Sequence, residues 1–257
     1  MMVNIQKLLP KVRMLVETAG RVLLEQQSRV RKLKTDKDFL TTADLISDKY
    51  IARKLQELNL DIPIYSEEKE IDMRNIEGLV WVVDPLDGTV NYFHRDNFWG
   101  VSIALVENQQ TQIGVVYLPA LDQLTGVTIN GDAILKGITF SVNSETDLAK
   151  AQIWTDWTKK GPDVTLSTLE KLAQISLYPQ IRLCCTGSLM AVASGKISGY
   201  IHPGPKPEDI AAGCLIVEKA GGKVTDFQGK TWTPFSKSII ASNGSIIHNQ
   251  LLEAINS

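Results

Sequence analysis

A chain of 257 residues with 44% hydrophobic side chains is long enough for one large folded body or two coupled domains, and it is neither disordered nor low in complexity. Its 27 basic and 29 acidic residues leave a formal net charge of −2, so no broad basic field exists to make nucleic acid or an anionic membrane the main partner. The three cysteines, Cys184, Cys185 and Cys214, are odd in number and lack C-x-x-C spacing, which argues against a disulfide framework or zinc knuckle and fits a reducing cytoplasm.

In the first 26 residues Lys7, Lys11, Arg13, Glu17 and Arg21 break any run that could serve as a signal peptide or membrane span. The apolar spacing of Leu8, Val12, Leu15, Val16, Ala19, Val22 and Leu23 predicts an amphipathic helix, with Pro10 tolerable near its start. A second helix is predicted from Thr41 or Thr42 as cap, with Leu45, Ile46, Ile51, Leu55 and Leu58 as its apolar set. Strands follow at 78–83, 99–106 and 112–118, the last two joined by a polar turn, and they predict an antiparallel sheet. Asn130-Gly131 signals a tight hairpin between LTGVTI and DAIL, because both residues tolerate positive φ.

From about residue 145 the order changes to strand AQIWT, helix VTLSTLEKLAQI, strand IRLCC, a helix from Gly187, strand SGYIH and helix DIAAGCLIVEKAGG. Helices followed by clustered strands are α+β order, and this alternation is α/β order. The reading is therefore an N-terminal domain of residues 1–143 and a C-terminal domain of residues 144–257, sharing an interface because no Pro/Gly-rich linker separates them.

The stretch WVVDPLDGTVN, residues 81–91, carries the chemistry. Val80 to Val83 read as a buried strand that brings Asp84 to the rim of its sheet; Pro85 ends the pairing, Asp87 comes round beside Asp84, and Gly88 exposes N–H groups. Clustered carboxylates beside an anion site are contradictory unless a cation lies between them. Oxygen ligands suit magnesium, held by Asp84, Asp87 and the Leu86 carbonyl and bridging to a phosphate on the N–H groups of Gly88 and Thr89. On its own the same stretch reads equally well as an ordinary polar turn. The balance shifts with further acids at element boundaries, Glu67-Glu68 and Asp209, although paired glutamates are commonly solvated and an aspartate before a helix is commonly its cap.

WVVDPLDGTVN resembles the signature of the magnesium-dependent inositol monophosphatase family, within the lithium-sensitive sugar and nucleotide phosphatases. DFLTTAD at 38–44, SEE at 66–68 and EDIAAGCLIVEKAGG at 208–222 resemble three more of its motifs, in the family's order and over almost the whole chain. The resemblance implies a layered αβαβα sandwich of the sugar-phosphatase type, a homodimer, and two or three Mg2+ ions held by Glu67, Asp84, the Leu86 carbonyl, Asp87 and Asp209. It implies a catalytic set of Thr89, Asp44 and Glu67, in which Thr89 orients the attacking water with the help of Asp44, and Glu68 stays in support. Asp44 also reads as a first-turn helix acid. Gly88, Thr89, Asp87, Gly187, Ser188 and His202 form the phosphate and substrate set, with Arg182 and Lys206 as further pocket-lining residues.

Four departures bear on substrate choice. Ser66 replaces a glycine, Glu208 stands where a tryptophan usually precedes the metal aspartate, and His202 lies near the place of a sugar-contacting glutamate. The stretch between Gly187 and Gly195 is also shorter than in inositol-processing members by about one helical turn. The expected activity is hydrolysis of a small phosphate ester, inositol monophosphate first. A 3′-phosphoadenosine nucleotide, fructose bisphosphate, histidinol phosphate and a non-catalytic binding role stand as alternatives.

Overall fold

The computed structural model describes residues 3–32, 39–58, 60–69, 77–131, 134–135, 138–158 and 161–257. Helices α1 (Ile5–Gln26) and α2 (Thr42–Gln56) come first. A seven-stranded sheet follows, in sequential order: β1 (Ile64–Ser66), β2 (Leu79–Asp87), β3 (Gly100–Glu107), β4 (Gln110–Leu118), β5 (Gln123–Thr128), β6 (Ile134–Leu135) and β7 (Ile138–Thr139), with the short helix α3 (Thr89–Phe93) after β2. The second half supplies β8 (Ile153–Thr155), α4 (Pro162–Ile175), β9 (Gln180–Ile181), α5 (Cys185–Ala193), β10 (Gly199–His202), α6 (Pro207–Lys219), β11 (Lys223–Thr225), β12 (Ile239–Ser242) and α7 (Ile247–Asn256). Its five strands lie in the order β11-β12-β10-β8-β9.

Period-two alternation along the strands builds the layers. Trp81, Val83, Ile103, Leu105, Ile113 and Val115 face α1 and α2, while Val80, Val82, Ala104, Val106 and Val116 face α5 and α6. Those two helices are also covered by the second sheet through Tyr200, Ile239 and Ala241, and its far face packs Ile153, Ile201 and Ile240 on α4 and α7. The result is the expected αβαβα layering. The middle layer is apolar on both sides, with Leu189, Ile210, Ala212, Leu215 and Ile216 buried. At about 1.5–3 kcal/mol per fully buried aliphatic side chain, this shared layer strongly couples the two sheets. α6 crosses β4 at backbone distance, since a Cβ on Gly114 would lie 2.7 Å from the Ala212 carbonyl oxygen.

The first helix follows its predicted stripe, with Leu8, Val12, Leu15, Val16, Ala19 and Leu23 buried and the Asn4 side chain capping it at Lys7 N–H. α2 buries only part of the predicted set. Ala43, Asp44, Ser47, Ile51 and Leu55 are buried while Ile46 is exposed, because polar groups of this helix serve β2: Ser47 Oγ donates to the Pro85 carbonyl at 2.7 Å. The first sheet is not wholly antiparallel, as β1 runs parallel to β2.

Pro85 does not end its strand. Pairing with β3 breaks after Asp84↔Ser102 and resumes at Asp87↔Gly100, so a bulge absorbs the residue that lacks an N–H. The positive φ values belong to Asn108 and Gln109 in the β3–β4 turn and not to Asn130-Gly131, where Gly131 N–H closes a bend onto the Thr128 carbonyl. Asp38, Asp132 and Ala133 of the quoted segments lie outside the described residues. IRLCC contributes only Ile181 to a strand, at the end of β9, because Leu183 turns at φ 53° and Cys184 caps α5. β11, β12 and α7 had no counterpart in the sequence reading.

Candidate active site

The site is assembled where β2 leaves its sheet. The bulge keeps Asp84 buried, 2% exposed, with its Oδ1 accepting the Leu86 N–H at 3.0 Å, while Asp87 is half-buried at the surface of the cleft. Gly88 has φ 80°, the left-handed region, and a Cβ there would lie 3.1 Å from the Phe98 carbonyl oxygen. That turn starts α3 and aims Thr89 back: its Oγ1 lies 2.9 Å from Asp44 Oδ1 and 3.0 Å from the Leu86 carbonyl oxygen.

Asp44 unites the two roles read for it. At the third position of α2 its Oδ2 accepts the Thr41 N–H at 2.8 Å and the Thr41 hydroxyl at 2.5 Å, a capping box, and its Oδ1 faces Thr89. Burial pushes the Asp44 carboxyl up, against the hydrogen bonds from Thr41 and Thr89.

The N-terminus of α5 binds Asp87, whose Oδ2 accepts the Thr186 N–H at 2.5 Å and the Cys184 thiol at 3.2 Å. Burial holds Cys184 well above the usual thiol range, so it serves as a donor. Asp209 sits in the first turn of α6, where its Oδ2 accepts the Lys206 N–H at 2.6 Å. Asp209 therefore does not precede the helix as its cap: Lys206 holds the N-cap position, and Asp209, third in the helix, accepts the N–H of that residue.

Glu67 follows β1 on the far side, and Lys206 Nζ reaches it at 3.3 Å. These acids share one field. Burial, then Glu67, Asp87 and Asp209, raise Asp84 well above the carboxylate range. Burial, then Glu208 and Asp87, do the same to Asp209, and burial brings Glu67 to about 7 despite Lys206. Among the described residues no three acidic, histidine or cysteine side chains are already drawn onto one ion-sized point. The donor set is nonetheless of the kind a hard cation takes: four carboxylates and a backbone carbonyl, all oxygen, raising one another's proton affinity.

The substrate-facing set is placed differently. Ser188 is fully buried and its hydroxyl donates to the Cys184 carbonyl within its own helix, while the Gly187 N–H donates to Cys184 Sγ. His202 is 6% exposed and its Nδ1 accepts the Gly204 N–H; burial brings it down to about 3, so the imidazole is neutral. Arg182 stacks over the Phe98 and Trp154 rings at 4.6 and 5.1 Å.

Sequence reasoning missed Asp156. It ends β8, accepts from the Tyr200 hydroxyl at 3.0 Å, and is raised to about 7 by burial and then by Asp87. The signal was present: IWTD repeats the pattern of WVVD, an apolar strand that ends in an aspartate. A cavity of about 680 Å³ lies elsewhere, between α2 and β1, lined by Asp48, Ala52, Leu55 and Ile64 and by none of the four carboxylates at the cleft.

Among the described residues no helix is long and apolar enough to cross a membrane, and the three cysteines are free and buried. The model of the inositol monophosphatase family matches residues 6–257. The chain is 32% identical over 253 residues to the fructose-1,6-bisphosphatase/inositol-1-monophosphatase of Thermotoga maritima, covering 94% of this chain and 93% of that protein. It is 29% identical to a putative Nus factor SuhB of Neisseria meningitidis, covering 91% and 92%. The inositol monophosphatase of Anabaena superposes with a TM-score of 0.88 at 26% identity, covering 99% of this chain and 97% of that one. With this match across the chain and an acidic cleft at the end of β2, the protein belongs to the inositol monophosphatase family, enzymes that hydrolyse phosphomonoesters.

Proposed function

We propose that the protein is a magnesium-dependent phosphatase of small phosphate esters, inositol monophosphate first, with Glu67, Asp84, the Leu86 carbonyl, Asp87 and Asp209 holding the ions. The observation that carries this is the burial of Asp84, Asp209 and Glu67 around one cleft, which raises all three, with neighbouring carboxylates raising each further, a conflict that a divalent cation would relieve. When bound, magnesium supplies positive charge toward the phosphate and makes water acidic enough to attack near neutral pH.

The chain's own residues would do the rest. The Thr89 hydroxyl has one proton to give, to Asp44 Oδ1 or to the Leu86 carbonyl, so its lone pairs are free to accept a hydrogen bond from the attacking water. Asp44, fixed by Thr41, holds the Thr89 rotamer and can receive the relayed proton. The N–H groups of Gly88 and Thr89 would bind phosphate oxygens at a turn whose conformation only glycine adopts without strain. Water is the nucleophile, and no covalent enzyme intermediate forms.

A second substrate reading, fructose 1,6-bisphosphate, is favoured by the name of the Thermotoga maritima relative. The sheets on either side of residue 143 are read as two domains around a shared layer from the change in element order, the cytoplasm as its compartment from the unpaired cysteines, and a homodimer as its assembly from the family resemblance. The test is magnesium-dependent phosphate release from inositol 1-phosphate, fructose 1,6-bisphosphate, 3′-phosphoadenosine 5′-phosphate and histidinol phosphate, with Asp87→Asn as blank. Release from one ester, lost in the variant at unchanged folding, assigns the pocket. Equal release by Asp87→Asn at saturating magnesium would remove Asp87 from the site.

A further inference from the structure

Lys206 is rooted between two prolines, Pro205 and Pro207, at φ −95° and ψ 164°, in the extended conformation that a following proline favours. Its backbone N–H donates to Asp209 Oδ2, and its ammonium reaches Glu67 Oε1 at 3.3 Å and Glu208 Oε1 at 3.6 Å. Glu208 is 1% exposed, whereas the Lys206 and Glu67 side chains are 32% and 31% exposed. The lysine therefore lies between an interior carboxylate and a carboxylate at the cleft. Burial works against its charge, but Glu67, Glu208 and Asp209 outweigh burial and keep it protonated.

We propose that the Lys206 ammonium is a built-in counter-cation of the acidic cleft, which holds Glu67 until a divalent ion displaces it toward Glu208. This rests on the cation reading above. A positive charge within hydrogen-bonding reach of a ligand repels the incoming ion and must give up its own contact, so divalent affinity is lower than the carboxylates alone would produce. Glu208 provides the displaced ammonium with a second anionic partner. The residue is thus a positioning residue for the cation, acting through Glu67.

The test is calorimetric titration of Mg2+ into EDTA-stripped protein. Lys206→Met is expected to bind Mg2+ about tenfold more tightly than wild type or better, and Lys206→Arg, which keeps the charge, to stay within about threefold of wild type. Equal or weaker binding by Lys206→Met overturns the proposal while leaving the cation site intact. No uptake of Mg2+ by any of the three proteins removes the cation reading and the proposal together.

Because Lys206→Met leaves Glu208 buried without its lysine, the wild-type protein supplies a second readout. Saturating Mg2+ should slow amine labelling of Lys206, read by mass spectrometry, as its ammonium moves from Glu67 to the interior Glu208, and leave the exposed Lys196 unchanged. A Lys206 labelling rate indifferent to Mg2+ overturns the displacement.

Discussion

Asp44→Asn separates the two roles of one carboxylate. The amide keeps the shape, and its best orientation leaves the oxygen on the Thr41 N–H and hydroxyl while the NH2 group faces Thr89 Oγ1, whose own proton then turns to the Leu86 carbonyl. Three hydrogen bonds to a charged acceptor become weaker neutral ones, a loss of about 1 kcal/mol each. The burial that raises the Asp44 carboxyl is a penalty the amide does not carry, so the net cost is about 1–2 kcal/mol, or roughly 2–8 °C in Tm.

The effect on catalysis is larger in kind. With one Thr89 lone pair now taken by the amide and no base left for the relayed proton, kcat should fall by about 10²–10⁴. KM should stay within about threefold, since Asp44 lies behind Thr89 and not against the phosphate. Steady-state phosphate release with thermal unfolding of the same preparations decides it. A variant that keeps more than a tenth of wild-type kcat would show that Asp44 is only a helix cap, and the relay through Thr89 would have to be abandoned.

Acid should act differently on the magnesium-loaded and stripped protein. His202 and His248 are brought to about 3 and 4 by burial, below the unfolded value near 6.5, so their contribution is present above that value and lost as pH falls, each at about 1.4 kcal/mol per unit. Glu67 and Asp156, raised to about 7, have the opposite sign: their contribution is complete below the unfolded carboxyl value and lost as pH rises through 7. In stripped protein Asp84 and Asp209, raised further still, add to Glu67 and Asp156, so the carboxyls prevail and urea midpoints should rise between pH 6.5 and 5.5. With Mg2+ holding Glu67, Asp84 and Asp209 ionised the histidines prevail, and stability should fall by about 1 kcal/mol over that unit. Parallel profiles with and without Mg2+ would contradict the assignment of Glu67. Gly114→Ala places a methyl group 2.7 Å from a backbone oxygen of α6 and should destabilise by about 1–3 kcal/mol in chemical unfolding, whereas no loss would mean that α6 can move away from β4.

The cleft was largely legible because its chemistry is local. Asp84, Leu86, Asp87, Gly88 and Thr89 are within six consecutive residues, and a bulge with one left-handed glycine suffices to orient them. Asp44 and Asp209 were readable as helix acids, and the structure keeps that role for each beside the other. The face of α2 was misread in part because apolar spacing cannot anticipate that Ser47 and Asp44 point inward to serve β2. Ser188 and His202 were placed toward substrate on their positions alone, yet the first is held by its own helix and the second by Gly204.

The sequence by itself determined the alternation that makes each strand two-faced, the caps of α1 and α2, and the order of the four acidic motifs, since these depend on neighbours a few residues apart. Only the tertiary structure decided that Thr186 and Cys184 would grip Asp87 across 97 to 99 residues of chain, that Asp156 would be buried under Tyr200, and that Lys206 would reach Glu67 across 139. Such contacts follow from the stacking of two sheets on one helical layer, and the charge a residue carries there depends on what that stacking removes from water.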